Sequence, residues 1–215
     1  LGVCLQNRYH DTSVKMKELI DGGEMGHVLG ARAFLTWSRC GNYYQQSTWR
    51  GTWEKEGGSL LMNQAIHTLD LLQWLLGDVE DVKGTISAHY LSNLIETEDT
   101  AEAVLQFRSG TRALFYASNA YVCNAPLYLE VLCEQGSLVL NGELTVNRQD
   151  GRREVFRDIP SIGFKDYWGT GHKNLIADFY DCIHRGVPFP INGVEGAKAV
   201  DIIQKLYQMH HICST

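Results

Sequence analysis

The sequence predicts an α+β domain: a large, mainly antiparallel sheet with helices packed on one face. Three observations carry this. Strand-like segments crowd into one block between residues 82 and 159 instead of alternating with helices. The dipeptides Ser109-Gly110, Gln135-Gly136 and Asn141-Gly142 fall between them as hairpin turns. Segments with helical periodicity flank the block on both sides.

Taken in order, residues 3–9 read as a short strand. His10-Asp11-Thr12-Ser13 then offers several N-caps to a helix whose apolar residues are Val14, Met16, Leu19 and Ile20, and Gly22-Gly23 ends it. Residues 28–37 alternate like a strand. Residues 38–58 read as a long loop rich in aromatic side chains (Tyr43, Tyr44, Trp49 and Trp53), and loops of that length inside a domain are often functional. The strongest helix covers 60–76 and stops at Gly77. Strands follow at 82–90, 101–108, 111–120, 128–133, 137–140 and 143–148, with one more at 153–159. Two helices, 173–185 and 195–211, close the chain. No linker or repeat divides the 215 residues, so they read as one domain, residues 1–215. The chain opens on Leu1 inside an apolar segment with no lead-in, which suggests a piece of a longer protein.

Composition narrows the function. Lys and Arg number 19 and Asp and Glu 25, a net charge of −6, and the longest basic run is Arg152-Arg153. That speaks against a nucleic-acid partner, which needs a basic face. No apolar run approaches membrane-spanning length, so no membrane partner is expected. The six cysteines form no CxxC and no zinc-like spacing with histidine, so no metal is expected; they read as reduced, mostly buried thiols of a cytoplasmic protein.

Chemistry concentrates on the helix at 60–76. Asn63, His67, Asp70 and Trp74 fall at i, i+4, i+7 and i+11, beside a stripe of Leu61, Ala65, Leu69, Leu72 and Leu76. An imidazole titrates near neutrality, which makes His67 the leading acid/base candidate, with Asn63 positioned to hold a substrate hydroxyl or orient the ring. The same spacing also fits two side chains that only hydrogen-bond their neighbours on a half-buried face. Arg8 and Tyr9 could grip an anion, or Arg8 could sit in an ion pair. Tyr43, Tyr44, Trp49 and Arg50 could stack on a sugar and hold a charge, or pack the loop onto the sheet. His172 reads as a cap or surface residue, the His210-His211 pair as helix-end charge, and Trp168 and Trp74 as packing.

The segment from Gly57-Gly58-Ser59 through Asn63-Gln64-Ala65-Ile66-His67-Thr68-Leu69-Asp70 resembles the GGG-x-L-x-[DN]-x-G-x-H-x-x-D helix of the Gfo/Idh/MocA oxidoreductases. Gln6-Asn7-Arg8-Tyr9, the Lys17–Gly26 block, Trp49-Arg50-Gly51, Asp178-Phe179 and the closing Gly193–Tyr207 segment are similar to other family blocks. The resemblance covers nearly the whole chain. It implies the C-terminal domain of such an enzyme, with a large open sheet, and an N-terminal Rossmann domain outside the chain. It implies NAD or NADP as cofactor, bound mainly by that other domain, with Asn7 as this chain's cofactor contact. It also implies a sugar-like secondary alcohol as substrate, oxidised with His67 and a lysine of the Rossmann half, and a homo-oligomer formed through the open sheet face. Asn63 stands where many members have Asp and places the chain with an Asn-Gln-x-Ile-His subgroup. Ser59 and Ala65 replace glycines. Two readings compete with the enzyme: a non-catalytic oligomerisation module, and a sugar-binding module resting on Tyr43, Tyr44 and Trp49.

Overall fold

The structure, a computed structural model, describes residues 1–39, 41–159 and 170–213, the last four as backbone alone. Trp168, Cys40 and the side chains of His210, His211 and Cys213 lie outside what is described.

Residues 3–9 are not a strand. Gln6–Tyr9 form a single 3-10 turn. The apolar Val3 and Leu5 that suggested a strand instead pack into a small cluster with Leu175, Cys182, Phe189 and Ile191, and the Val3 N–H donates to the Ile191 carbonyl at 2.8 Å. Helix α1 (Asp11–Asp21) follows, with Met16 and Leu19 buried and Asp11 favourably placed in its first turn.

Among the described residues, eight strands make one sheet: β1 (Val28–Thr36), β2 (Val79–Ser87), β3 (Thr100–Phe107), β4 (Arg112–Ser118), β5 (Tyr128–Cys133), β6 (Gly136–Asn141), β7 (Leu144–Arg148) and β8 (Arg153–Phe156). Their order is β2-β3-β4-β1-β5-β6-β7-β8. Every pairing is antiparallel except β1 with β4. The meander expected from the turns is therefore split, because β1 enters its middle and β5 must start on the far side.

The alternation of each strand decides which face is covered. Ala33 and Leu35, Ala103 and Leu105, Ala113 and Phe115, and Leu129 and Val131 point inward and are buried. Against them pack α3 (Ile66–Leu76), α5 (Gly193–Cys213) and α1. The outward residues form cross-strand rows. Val104 pairs in register with Leu114, Leu114 with Arg32, and Arg32 with Glu130. Leu114 and Leu132 are half or more exposed, at 56% and 50%. Helix α4 (Gly171–Arg185) packs instead against the 3-10 turn near the N-terminus.

The cysteine expectation needs correcting. Cys133 and Cys182 are buried, but Cys4 and Cys123 are exposed, and all four are free thiols. Cys4 is carried on the extended N-terminal segment, where its neighbours Val3 and Leu5 turn inward. Among the described residues no helix is long and apolar enough to cross a membrane.

Candidate functional site

The helix expected at 60–76 is built in two parts: a π-helical segment, Leu60–Ala65, runs into α3. Its start is set by a buried acid. Glu98 is 1% exposed, and its Oε1 accepts the N–H groups of Ser59 (3.2 Å) and Leu61 (2.8 Å) and the Tyr207 hydroxyl (2.9 Å). A carboxylate there pairs donors that a helix N-terminus leaves open. Burial raises the Glu98 pKa above the usual carboxylate value, while those hydrogen bonds pull it back. Gly58 makes the close approach possible. Its φ is 144°, and a Cβ would collide with the Tyr207 hydroxyl. Gly58→Ala is expected to cost about 1–3 kcal/mol through strained backbone, readable in a urea unfolding curve. An unchanged midpoint would show that the segment can shift at no cost.

π-Helical turns are wider than α-helical ones and recur at functional sites. The 3.6-residue spacing therefore does not hold across Asn63 and His67. Both nonetheless line one groove of about 430 Å³. Val3, Cys4 and Leu5 of the N-terminal segment form one wall, Trp49, Lys55 and Glu56 another, and Met62 and Ile66 complete the lining. Asp70 and Trp74 do not share this groove. Asp70 is fully buried and bound to Arg8, and the Trp74 ring lies under the Arg8 guanidinium and the Lys17 ammonium.

Asn63 is held by its amide nitrogen, which donates to Glu56 Oε1 at 2.9 Å; Glu56 Oε2 in turn accepts the Gly51 N–H at 2.5 Å. The Asn63 oxygen makes no hydrogen bond among the described residues, so it can accept one from a bound hydroxyl. His67 Nδ1 is enclosed and likewise has no partner among them. Burial, and after it the nearby His172, pull the His67 imidazole down to about 4. The ring is therefore neutral at pH 7. His172, at the start of α4, faces this site electrostatically; nothing in its local sequence signalled that.

The other sequence candidates separate into two groups. Tyr43, Trp49 and Arg50 gather at the groove's rim: the Arg50 guanidinium carbon lies 4.2 Å from the Tyr43 ring centroid and 5.1 Å from that of Trp49. Residues 38–58 are not all loop, since Gly41–Gln45 forms a short helix, α2, that presents Tyr43 and Tyr44. Gln64 fastens this region to the sheet, donating to the Tyr43 hydroxyl at 3.2 Å and accepting from Asn119 Nδ2 at 2.9 Å.

Arg8, Tyr9 and Tyr44 turn into the protein instead. The Tyr44 hydroxyl bonds with Ser59 Oγ and accepts from Asn119. The Tyr9 hydroxyl donates to Asp178 at 2.6 Å. Arg8 is 6% exposed and donates to Asp70, Glu195 and Gln73, so the structure uses its fork internally. Asn7 lies beside it in the 3-10 turn and accepts from Gln6.

Among the described residues no cluster of His, Cys, Asp or Glu could hold a metal ion. Gly57-Gly58 opens the helix that lines the groove, but without the G-x-G-x-x-G spacing that cradles a dinucleotide's phosphates.

Residues 13–139 match the family profile described as the GFO/IDH/MocA C-terminal domain. No curated protein matches the chain. Among solved structures it is similar to the WlbA dehydrogenase of Bordetella pertussis, in complex with NADH and UDP-GlcNAcA, at 27% identity and a TM-score of 0.78, over 97% of this chain and 60% of that one. It is similar to the WlbA dehydrogenase of Chromobacterium violaceum, with the same two ligands, at 29% identity and a TM-score of 0.76, over 97% and 59%. Its fold also matches the aldose-aldose oxidoreductase of Caulobacter crescentus, at 18% identity and a TM-score of 0.80, over 97% and 61%. The chain thus spans about 60% of the length of these structures.

Proposed function

The chain belongs to the Gfo/Idh/MocA family through its C-terminal domain, and from that premise we propose that it is the substrate-binding and assembly half of an NAD(P)-dependent oxidoreductase. The substrate in this reading is a secondary alcohol of a sugar, sugar derivative or cyclitol. The observation that carries it is that a neutral His67 imidazole, its Nδ1 without a partner among the described residues, and the Asn63 amide line one groove. Asn63 Oδ1 accepts a hydrogen bond from a substrate hydroxyl and orients it. His67 takes the proton of the reacting hydroxyl at a ring nitrogen as the carbinol becomes a carbonyl. The hydride acceptor is a nicotinamide supplied with the partner domain, for which Asn7 is the contact on this chain. The groove's apolar lining and Trp49 suit the faces of a sugar ring.

The deciding experiment uses the full-length protein. NAD⁺ or NADP⁺ reduction is followed at 340 nm against a panel of sugar alcohols, sugars and nucleotide sugars. Reduction dependent on His67 supports the proposal; a protein that binds NADH yet oxidises none of them refutes it. The 215-residue chain alone is expected to show neither turnover nor NADH binding.

A second reading, assembly, is favoured by the sheet face on which Leu114 and Leu132 project outward and which no helix covers among the described residues. This face is proposed to pair with a second copy. Leu114→Arg would set a new charge beside Arg32, its neighbour in register, and is expected to shift sedimentation toward smaller species. A variant that sediments like the parent would place the interface elsewhere.

A further inference from the structure

Arg39 and Arg50 share an aromatic platform. The Arg50 guanidinium carbon lies 4.2 Å from the Tyr43 ring centroid and that of Arg39 lies 5.2 Å from it, so the two cations cannot be farther apart than the sum of those distances. Trp37 and Trp49 extend the stack, at 4.8 Å from Arg39 and 5.1 Å from Arg50. Each guanidinium is anchored from one end: Arg39 Nη1 donates to the Ser38 carbonyl at 2.7 Å and Arg50 Nη1 to the Tyr43 carbonyl at 2.9 Å. Arg39 Nη1 also reaches Asn124 Oδ1 at 3.2 Å.

What these arginines lack is an acid. Neither forms an ion pair among the described residues, in contrast to Arg8, Arg32 and Arg148. The Nε of each is enclosed without an acceptor, and neither Nη2 has a partner there. An enclosed, unpaired charged donor is costly. Two of them on one ring, in a protein of net charge −6, are poorly explained by loop packing, which one arginine and a carboxylate would serve better.

We infer that Arg39 and Arg50 form an anion clamp at the rim of the His67 groove, and that the group it takes is the diphosphate of a diphosphate-linked sugar. The inference rests on the substrate-groove reading and deepens it. Trp49 belongs both to the groove lining and to the arginine stack, and the Tyr43 hydroxyl is bonded to Gln64, next to Asn63. A substrate with its carbinol at Asn63 and His67 therefore sends its substituent toward the clamp. Each arginine keeps Nη2 without a partner among the described residues, and two such cationic ends match two linked phosphoryl groups, whereas a single carboxylate would need one. Lys55 is exposed on the same wall, beside Glu56, and forms no ion pair among the described residues.

The test is a calorimetric titration of the full-length protein with inorganic pyrophosphate, inorganic phosphate and glucuronate. Pyrophosphate is expected to bind more tightly than either of the others, with affinity falling as salt rises. Arg39→Gln and Arg50→Gln are each expected to weaken it about tenfold or more, from the loss of charged hydrogen bonds, with Arg50→Lys intermediate. A dinucleotide also carries a pyrophosphate, so the titration is repeated with saturating NADH. Retained binding assigns the clamp to substrate; displacement by NADH overturns that assignment. Pyrophosphate affinity equal in the parent and the Arg39→Gln/Arg50→Gln double variant overturns the clamp itself. So does an absence of salt dependence in the parent, which needs no variant to fold. Neither result touches the hydride assay, whose failure would instead remove the redox reading.

Discussion

Full-length protein carrying His67→Ala is expected to oxidise its alcohol about 10²–10⁴-fold more slowly in kcat, the usual contribution of a positioned general base. NADH affinity is expected to hold within about threefold, because the phosphates bind elsewhere. The split between kcat and KM is informative. A residue that only shapes the groove would raise KM, whereas one acting in the transition state lowers kcat and kcat/KM together. The pH profile gives a second readout. With the imidazole held near 4, His67 stays neutral across the physiological range, so the acid limb of the parent's kcat belongs near pH 4 rather than near 6.5. The same shift reaches stability. Between about pH 6.5 and 4 the unfolded chain protonates this ring and the folded chain does not, so stability falls as pH falls through that window. The full effect is on the order of 3 kcal/mol, and His67→Gln should flatten that part of the stability curve. A variant retaining parental kcat would remove His67 from the chemistry.

That Asn63 and His67 share a groove was legible in the sequence, and what was not legible has identifiable physical causes. Asn63 and His67 could be found because a polar pair beside a leucine stripe is a one-dimensional pattern. The strands 128–133 and 143–148 were legible because their turns carry glycines at positive φ, such as Gly142 at 74°. The place of β1 between β4 and β5 was not, since strand order is fixed by long-range pairing that no local segment encodes. Residues 3–9 misled for a related reason: Val3 and Leu5 are apolar and β-prone, but they bury against α4 and the segment at Phe189 rather than a strand. The π-helical start of the main helix depends on Glu98, a residue far along the chain whose burial was invisible. Arg39 carries no signal in one dimension, because it meets Arg50 only through the Tyr43 ring that both lie over.

Arg8 shows how a site residue in one dimension becomes a keystone in three. Its Nε and Nη2 donate to the two oxygens of Asp70 at 2.8 and 2.5 Å, its Nη1 to Glu195 at 2.9 Å, and its Nη2 also to Gln73 at 3.2 Å. One guanidinium thereby ties the 3-10 turn to α3 and α5, directly beneath the turn that carries His67. Asp70 is fully buried, so removing Arg8 strands a carboxylate where water cannot reach it. Arg8→Ala is expected to destabilise the fold by about 3–5 kcal/mol, the range for breaking a buried pair from one side. Asp70→Asn is expected to cost less, since the amide still accepts one of the two bonds and Glu195 remains. The double replacement Arg8→Met/Asp70→Leu is the discriminating case. Desolvation offsets much of what a buried pair gains, so an apolar pair of similar volume should recover most of the lost stability. Turnover should not recover with it, because the apolar pair no longer fixes α3 against the N-terminal wall of the groove. Unfolding of the three variants by urea, with kcat measured on each, separates these outcomes. Parallel recovery of stability and kcat would reduce Arg8 to a packing residue. Stability without turnover would make the Arg8–Asp70 bond the element that sets where His67 stands.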